Sequence, residues 1–476
     1  MIRFRLAALT LPALALPMLT LGACSMAPKY VAPPPPVAAS WPVGDAYLAQ
    51  SEAALPLVSY TEIFRDRRLQ SLVEQALANN RDLRVAAANL AAARAQVRVV
   101  RANQFPAIGV SGSASRTETN GGSTGSSTSG DRSSYSLQGG ISSFELDFFG
   151  KYASATAAQR NTALSTEAAA RTVRLGLVAD LAQAWATYAA DKDLLRIAEA
   201  TAANAERSVT LTGARLKGGV APRTDLRQAE QVLETARGDV ASQTTALAQD
   251  VNAIRLLVGA DFDESLLPGG VNEVNQSLAV LPAGTSSQVL LRRPDVVEAE
   301  YSLRAANADI GTARAELFPS ISLTGLLGFA SDALSALFDK GAFAATGTAA
   351  ASWSIFNAGG KSANVEVAKA QRDAALGTYE KAIQTAFREV SDALADQGTL
   401  SERLRAATGF TAAASDSARL TEASYRQGIT SSLENLDAQR SLYSARKQEI
   451  AVRLAVASNR ITLYRVLGGD QATQSP

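Results

Sequence analysis

The chain has 476 residues, 47% of them hydrophobic, enough to build a large buried core. It contains no histidine, which excludes histidine-based catalysis and histidine metal sites, and its net charge of +1 gives no footing for a nucleic-acid partner. Only 6% of residues are aromatic and alanine is abundant, so its helices are expected to pack closely along small-residue seams.

Residues 1–23 read as a secretory signal: Arg3 and Arg5, then an apolar run from Leu6 to Leu21 that is too short for a membrane span. Leu21-Gly22-Ala23-Cys24 follows, and Cys24 is the only cysteine, which excludes an internal disulfide. This pattern resembles the bacterial lipobox, in which the cysteine becomes the lipidated first residue; Ser25 after it implies sorting to the outer membrane. Residues 24–60 then read as a lipid-anchored tether, because four prolines at 33–36 and Trp41-Pro42 suit extended chain.

A helix is predicted from about Asp66 or Leu69 to Asn103, stopping before Pro106. A hairpin follows at about 107–147. Ile108, Val110, Gly112 and Ala114 alternate with small or polar residues, as do Tyr135, Leu137, Gly139 and Ile141. The Ser/Thr/Gly stretch between them at 117–133 is a loop and no phosphate cradle, lacking Gly-Lys-Ser/Thr. Helices are predicted over 151–218 and 224–258, with Thr224 as N-cap of the second. At about 1.5 Å per residue the first would approach about 100 Å.

After a linker at 260–290 the pattern returns. A helix leads to a hairpin at about 320–356, with Ile321, Leu323, Leu327 and Phe329 on one face of one strand and Ala345, Gly347, Ala349, Ala351, Trp353 and Ile355 on one face of the other. Helices at 361–427 and 432–467 follow, Ser432 serving as N-cap, and a tail occupies 469–476. Asp82 and Asp295 lie 213 residues apart, as do Pro106 and Pro319; from Phe144/Trp353 onward the offset is 209, as in Gly219/Gly428 and Gly259/Gly468. The chain therefore reads as two sequential repeats, 61–259 and 291–468.

The period-two hairpins admit two readings: half-buried sheet in a soluble domain, or membrane strands with lipid on one side. The secretory signal favours the second. Four strands cannot close a barrel, so membrane strands would require several chains to share one.

The lipobox, the FELDFFGK stretch at 144–151, the RRPDV stretch at 292–296, the paired Phe-Pro at 105–106 and 318–319, and the turn motifs at 219–230 and 428–439 together resemble the TolC/OprM family of outer-membrane efflux proteins, in its NodT-type lipoprotein branch. The resemblance covers about 60–470. It implies a mixed α/β membrane protein: an outer-membrane β-barrel of four strands per chain, twelve in a homotrimer, continued by an α-helical coiled-coil periplasmic tunnel. The implied function is passive conduction of small molecules delivered by an inner-membrane RND-type pump through a periplasmic adaptor, without enzymatic activity, cofactor or metal. Protein export by a type I system and a pore-less coiled-coil lipoprotein are the alternatives. Metal export is possible within that branch; copper or silver would find no soft-ligand path here, since the methionines are Met1, Met18 and Met26 and the one cysteine is used for lipid, while passage through a passive pore is still allowed.

Carried onto this chain, the resemblance implies lipidation at Cys24 and adaptor-docking tips at Gly219-Val220 and Gly428-Ile429. It also implies a periplasmic gate of Thr224, Asp225, Tyr425, Glu434 and Asp437. Asp225 and Glu434 also occupy first helical turns, where carboxylates stabilise the helix start in their own right; Asp437 does not. Thr430 stands where relatives carry a basic residue, which leaves Arg426 or Arg223 to supply the charge. The remaining acids read as solvated helix faces.

Overall fold

A computed structural model describes residues 25–47, 59–117, 132–280 and 287–469. The signal, Cys24, nearly all of the 117–133 loop, and parts of the tether, linker and tail lie outside the described residues. The chain divides into two compact units, and the division cuts across the sequence repeats. One unit combines Arg98–Ala158 and Ala306–Ala370 with the residues up to Lys29; the other holds Tyr30–Val97, Gln159–Ala305 and Gln371 onward.

The first unit is built on a four-stranded antiparallel sheet in the order β1 (Ile108–Thr117), β2 (Arg132–Glu145), β3 (Ser320–Ser331), β4 (Phe343–Ser352). Each repeat thus contributes one hairpin. β2 and β3, the central pair, shift register between Ile141 and Phe144. Gly140 makes their close approach possible: its φ is +147°, and a Cβ there would lie 2.1 Å from the Gly325 carbonyl oxygen. β1 and β4 are the outer strands, and every residue of both is exposed. Apolar side chains stand in the open, with Ile108 and Val110 about four-fifths accessible (81% and 79%). Aromatic residues gather at both strand ends. Phe329 meets Phe338 and Phe343 at one, while Phe149 stacks on Phe318 with ring centres 4.6 Å apart at the other. β4 ends earlier than its alternation predicts. Trp353 and Ile355 lie past it, because the Trp353 indole N–H donates to the Leu317 carbonyl (3.0 Å) instead of continuing the face.

The helices are α1 (Tyr60–Ile63), α2 (Arg67–Asn79), α3 (Arg81–Ala102), α4 (Lys151–Lys217), α5 (Arg223–Val258), α6 (Val271–Ser277), α7 (Pro294–Ala315), α8 (Gly360–Arg426) and α9 (Ser432–Val466). No helix among the described residues is long and apolar enough to cross a membrane. The single helix expected from Asp66 to Asn103 is two. Asn80 breaks it, donating from Nδ2 to the Leu257 carbonyl (2.9 Å) while its Oδ1 accepts from Leu83 N–H (3.1 Å), and so caps α3. Asp66 caps α2 by accepting from Arg68 N–H (2.8 Å), and Leu69, Leu72, Val73 and Ala76 form its buried stripe.

The core of the second unit is laid down by an alanine-rich seam on α4 and a mixed seam on α8. On α4, Ala179, Ala182, Ala186 and Ala189 are buried around Trp185; on α8, Tyr379, Ile383, Ala386, Val390 and Ala393 follow the same alternation of four and three. Alanine on these seams lets the helices approach until Trp185, Leu181, Ile254 and Leu463 are fully enclosed. Within the described part of the 260–290 stretch α6 packs on α9, with Asn275 Nδ2 donating to the Arg453 carbonyl (2.8 Å) and Arg460 to Asn275 O (2.6 Å). Arg293 of the RRPDV stretch is the buried node. It reaches Asp295 (2.7 Å), Glu389 (2.8 Å) and the Val466 carbonyl (2.9 Å), joining α7, α8 and the end of α9.

Candidate functional site

Two helix-to-helix turns in the second unit, at the ends of α4 and α8, have one design. After α4, Val220 N–H donates to Arg215 O and Gly219 N–H to Leu216 O, both at 3.0 Å. After α8, Ile429 N–H donates to Ser424 O (2.9 Å) and Gly428 N–H to Tyr425 O (3.0 Å). This is the Schellman arrangement, which needs a left-handed residue; Gly219 and Gly428 supply it at φ +75° and +78°. Space is not the constraint, because a Cβ at either glycine would meet nothing within 4 Å. The residue after a Schellman glycine commonly folds back onto an apolar side chain of the helix. Here the corresponding helix positions are Arg215 and Ser424, and the apolar residues project outward: Val220 is 77% and Ile429 74% exposed.

The helices that leave these turns are not capped where the sequence suggests. Thr224 is exposed inside α5, which starts after Pro222; proline offers no side-chain cap but its fixed φ suits the entry. Ser432 is buried as the first residue of α9, and Ser431 caps it, its Oγ accepting from Glu434 N–H (3.2 Å).

Tyr425 is 4% exposed, and it joins the two turns. Its hydroxyl shares a hydrogen bond with Thr212 Oγ1 (3.2 Å), and the Arg215 guanidinium lies 4.3 Å over its ring. Arg215 Nη2 also donates to the carbonyls of Tyr425 (2.7 Å) and Arg426 (3.3 Å). A cation from the last turn of α4 therefore bonds the Arg426 carbonyl and gives the Tyr425 carbonyl, which already accepts from Gly428 N–H, a second donor. Arg215 and Thr212 were not singled out from sequence; the available signal was a break in the repeat, since Arg215 corresponds to Ser424 at the 209-residue offset.

The acids are placed differently. Asp225 is half-buried in the first turn of α5, Glu434 is exposed in the first turn of α9, and Asp437 is exposed one turn on. Among the described residues, no cation of the same chain lies within ion-pair reach of the three. Arg426 turns to Glu422 on its own helix, so it does not replace the charge missing at Thr430, whose hydroxyl donates to the Thr421 carbonyl (3.4 Å).

Farther along the same helices, Asp191 of α4 and Asp250 of α5 face each other, and these two acids are not solvated as the sequence suggests. Burial raises both, and with the charge of Asp191 added Asp250 is pushed up to about 7. Tyr188 on α4 is raised as well, by burial and then by Glu264 and Asp250.

The family model described as outer membrane efflux protein matches residues 72–260 and 285–469. The chain is 42% identical over 468 residues to the antibiotic efflux pump outer membrane protein ArpC of Pseudomonas putida, covering 98% of this chain and 96% of that protein. It is 36% identical over 452 residues to the cation efflux system protein CusC of Escherichia coli K12, covering 95% of this chain and 97% of that one. A solved CusC structure superposes with a TM-score of 0.84 over 94% of this chain and all of that chain (100%). The open-state MtrE outer membrane channel of Neisseria gonorrhoeae, 32% identical, superposes at 0.83 over 95% of this chain and 100% of that one.

Proposed function

The chain belongs to the outer membrane efflux protein family, and from that premise we propose that it is the outer-membrane duct of a tripartite efflux system. The observation that carries this reading is the sheet. Its four strands end in two outer strands with unpaired edges and carry exposed apolar side chains between aromatic ends. An unpaired strand edge in hydrocarbon costs several kcal/mol for each unmade hydrogen bond, so copies must supply the missing neighbours. Three copies of four strands give twelve, enough for a closed barrel around water. Helix α3 supports the same assembly, for none of its 22 residues is buried within one chain.

Conduction is passive, and the energy comes from an inner-membrane pump of the RND type. The exposed Val220 and Ile429 dock a periplasmic adaptor, each held outward by its glycine turn. Thr224, Asp225, Tyr425, Glu434 and Asp437 form the gate, with Arg215 as the latch that holds the α8 tip to the α4 tip. In a trimer the three acids repeat around the axis, and a ring of carboxylates without cations of its own chain favours cation entry. Cys24 carries the lipid that adds a second hold on the outer membrane. ArpC is named for antibiotics and CusC for cations. We assign small organic, amphipathic substrates, because the chain offers no ladder of thiols or thioethers for a soft cation.

Conductance of the purified protein in a planar bilayer, with its mass measured in mild detergent, tests the proposal. A trimer with discrete conductance steps is expected; a monomer, or a trimer without steps, sinks it.

A further inference from the structure

A cavity of about 280 Å³ lies in the first unit, where β2 runs into α4 and where β3 and β4 meet α7 and α8. Strand register decides which side of the sheet it opens on. Glu145 pairs with Ser322 and Ser320 with Ser352, while Phe144 with Leu323 and Ile321 with Ala351 fall on the opposite, apolar face. Glu145, Ser320 and Ser352 line the cavity, so it belongs to the polar face. The charges that share this space are Glu145, Asp147, Lys151, Glu316 and Lys361. The first three are engaged. Glu145 accepts from the Tyr152 hydroxyl (2.8 Å) and pairs with Lys151 (3.4 Å), and Asp147 accepts from Ala153 N–H (2.8 Å) in the first turn of α4. Among the described residues no side-chain hydrogen bond or ion pair reaches Glu316 or Lys361, although both are half-buried. Lys151 acts on Glu316 only through space. Beside these charges Phe149 lies stacked on Phe318 and gives the wall a flat apolar patch.

A half-buried charge has lost part of its water and gains by meeting an opposite one. A lone anion drawn to Lys361 would face Glu316, and a lone cation drawn to Glu316 would face Lys361 and Lys151. The acids do not converge on a metal ion either, since no three of them among the described residues are close enough to hold one. A molecule that carries both signs satisfies both side chains at once. We propose that this cavity is a binding site for small zwitterions with an aromatic or apolar body, of the aminocarboxylate class. Glu316 takes the ammonium, Lys361 the carboxylate, and the Phe149–Phe318 pair covers the hydrocarbon. In the channel reading the apolar face of the sheet turns to lipid, which leaves this face lining the duct. That the ligand is cargo rests on that reading; the binding uses only residues of one chain.

Calorimetric titration of the full-length protein in detergent with phenylalanine tests it, with phenylpropionate and phenethylamine as controls that each lack one of the two charges. Phenylalanine is expected to bind at least about tenfold more tightly than either control. Lys361→Gln should weaken phenylalanine by about tenfold and leave phenethylamine bound at least as tightly as by the parent. Glu316→Gln should weaken phenylalanine equally and leave phenylpropionate so bound. Each retained control shows that its variant is folded. The titration needs no pore, so its failure is distinct from a failure of the channel reading. Absence of phenylalanine binding, a control that binds equally, a preference unchanged in either variant, or a variant that loses all three ligands alike overturns the proposal.

Discussion

Arg215 stands where the ends of two helical hairpins would otherwise part. It donates to two carbonyls at the end of α8 and covers the Tyr425 ring. Arg215→Ala removes both, at a cost of about 1–3 kcal/mol to the contact between the two tips. Open probability in planar bilayers should rise; Tyr425→Phe, which loses only the Thr212 hydrogen bond, should raise it less. Equal conductance in Arg215→Ala and the parent would remove the latch role. Asp250 makes a different prediction. Its folded value of about 7 stands above the ordinary carboxylate value of 3.8, so folding takes up a proton in that window. The acid therefore contributes most below its unfolded value, and stability is lost as pH climbs toward about 7 and levels off above it. Asp191 deepens the effect, since its carboxylate charge disfavours that of Asp250. Asp250→Asn should raise the melting temperature at about pH 8 and flatten the slope between about pH 5 and 7. Melting curves of parent and variant that fall in parallel would show that the pair titrates normally.

At the scale of the element, each tip is a helix end whose geometry and outward apolar residue are separable. Gly219→Ala and Gly428→Ala introduce no clash but force alanine into the left-handed region, costing about 1 kcal/mol at each turn. Amide exchange should quicken over the last turns of α4 and α8, while the melting temperature stays nearly unchanged. Val220→Asp with Ile429→Asp leaves the backbone alone and removes the exposed contact area. Crosslinking to the adaptor should fail in this double variant although the trimer forms. Crosslinking at the parent level would mean that docking lies elsewhere. The helices behind the tips depend on spacing more than on side-chain size. The alanine seam on α4 places small residues where helices meet, and the Tyr379–Ala393 seam on α8 alternates alanine with larger side chains, which together explains how a chain with few aromatics encloses a continuous core.

For the whole molecule, the sheet is the part that one chain cannot complete. Gly140→Val would place a side chain 2.1 Å from the Gly325 carbonyl at its first atom, prising β2 from β3. The outer-membrane fraction and the detergent-stable trimer should both be lost, while the helical circular dichroism signal survives in the second unit. A variant that still inserts and trimerises would show that the central strand pair tolerates separation. The division into units explains this expectation: each unit draws elements from both repeats and has its own packing.

Much of this was legible in the residue order, because the signals were local or repeated. Period-two alternation marked the strands, proline-free tracts marked α4 and α8, and a constant 209-residue offset marked the duplicated glycine turns. The helix break at Asn80 was not legible, because it rests on the carbonyl of Leu257, 177 positions away. The cap positions of α5 and α9 lie one or two positions before those expected: Pro222 carries no side-chain cap to mark it, and Ser431 is one of several adjacent hydroxyl residues among which only backbone geometry chooses. Arg215 and Tyr425 acquire their meaning from neighbours far along the chain. Periodicity is a property of consecutive residues and so can be read from them directly. Which charge meets which carbonyl depends on how long helices pack, and that was decided only when the chain folded.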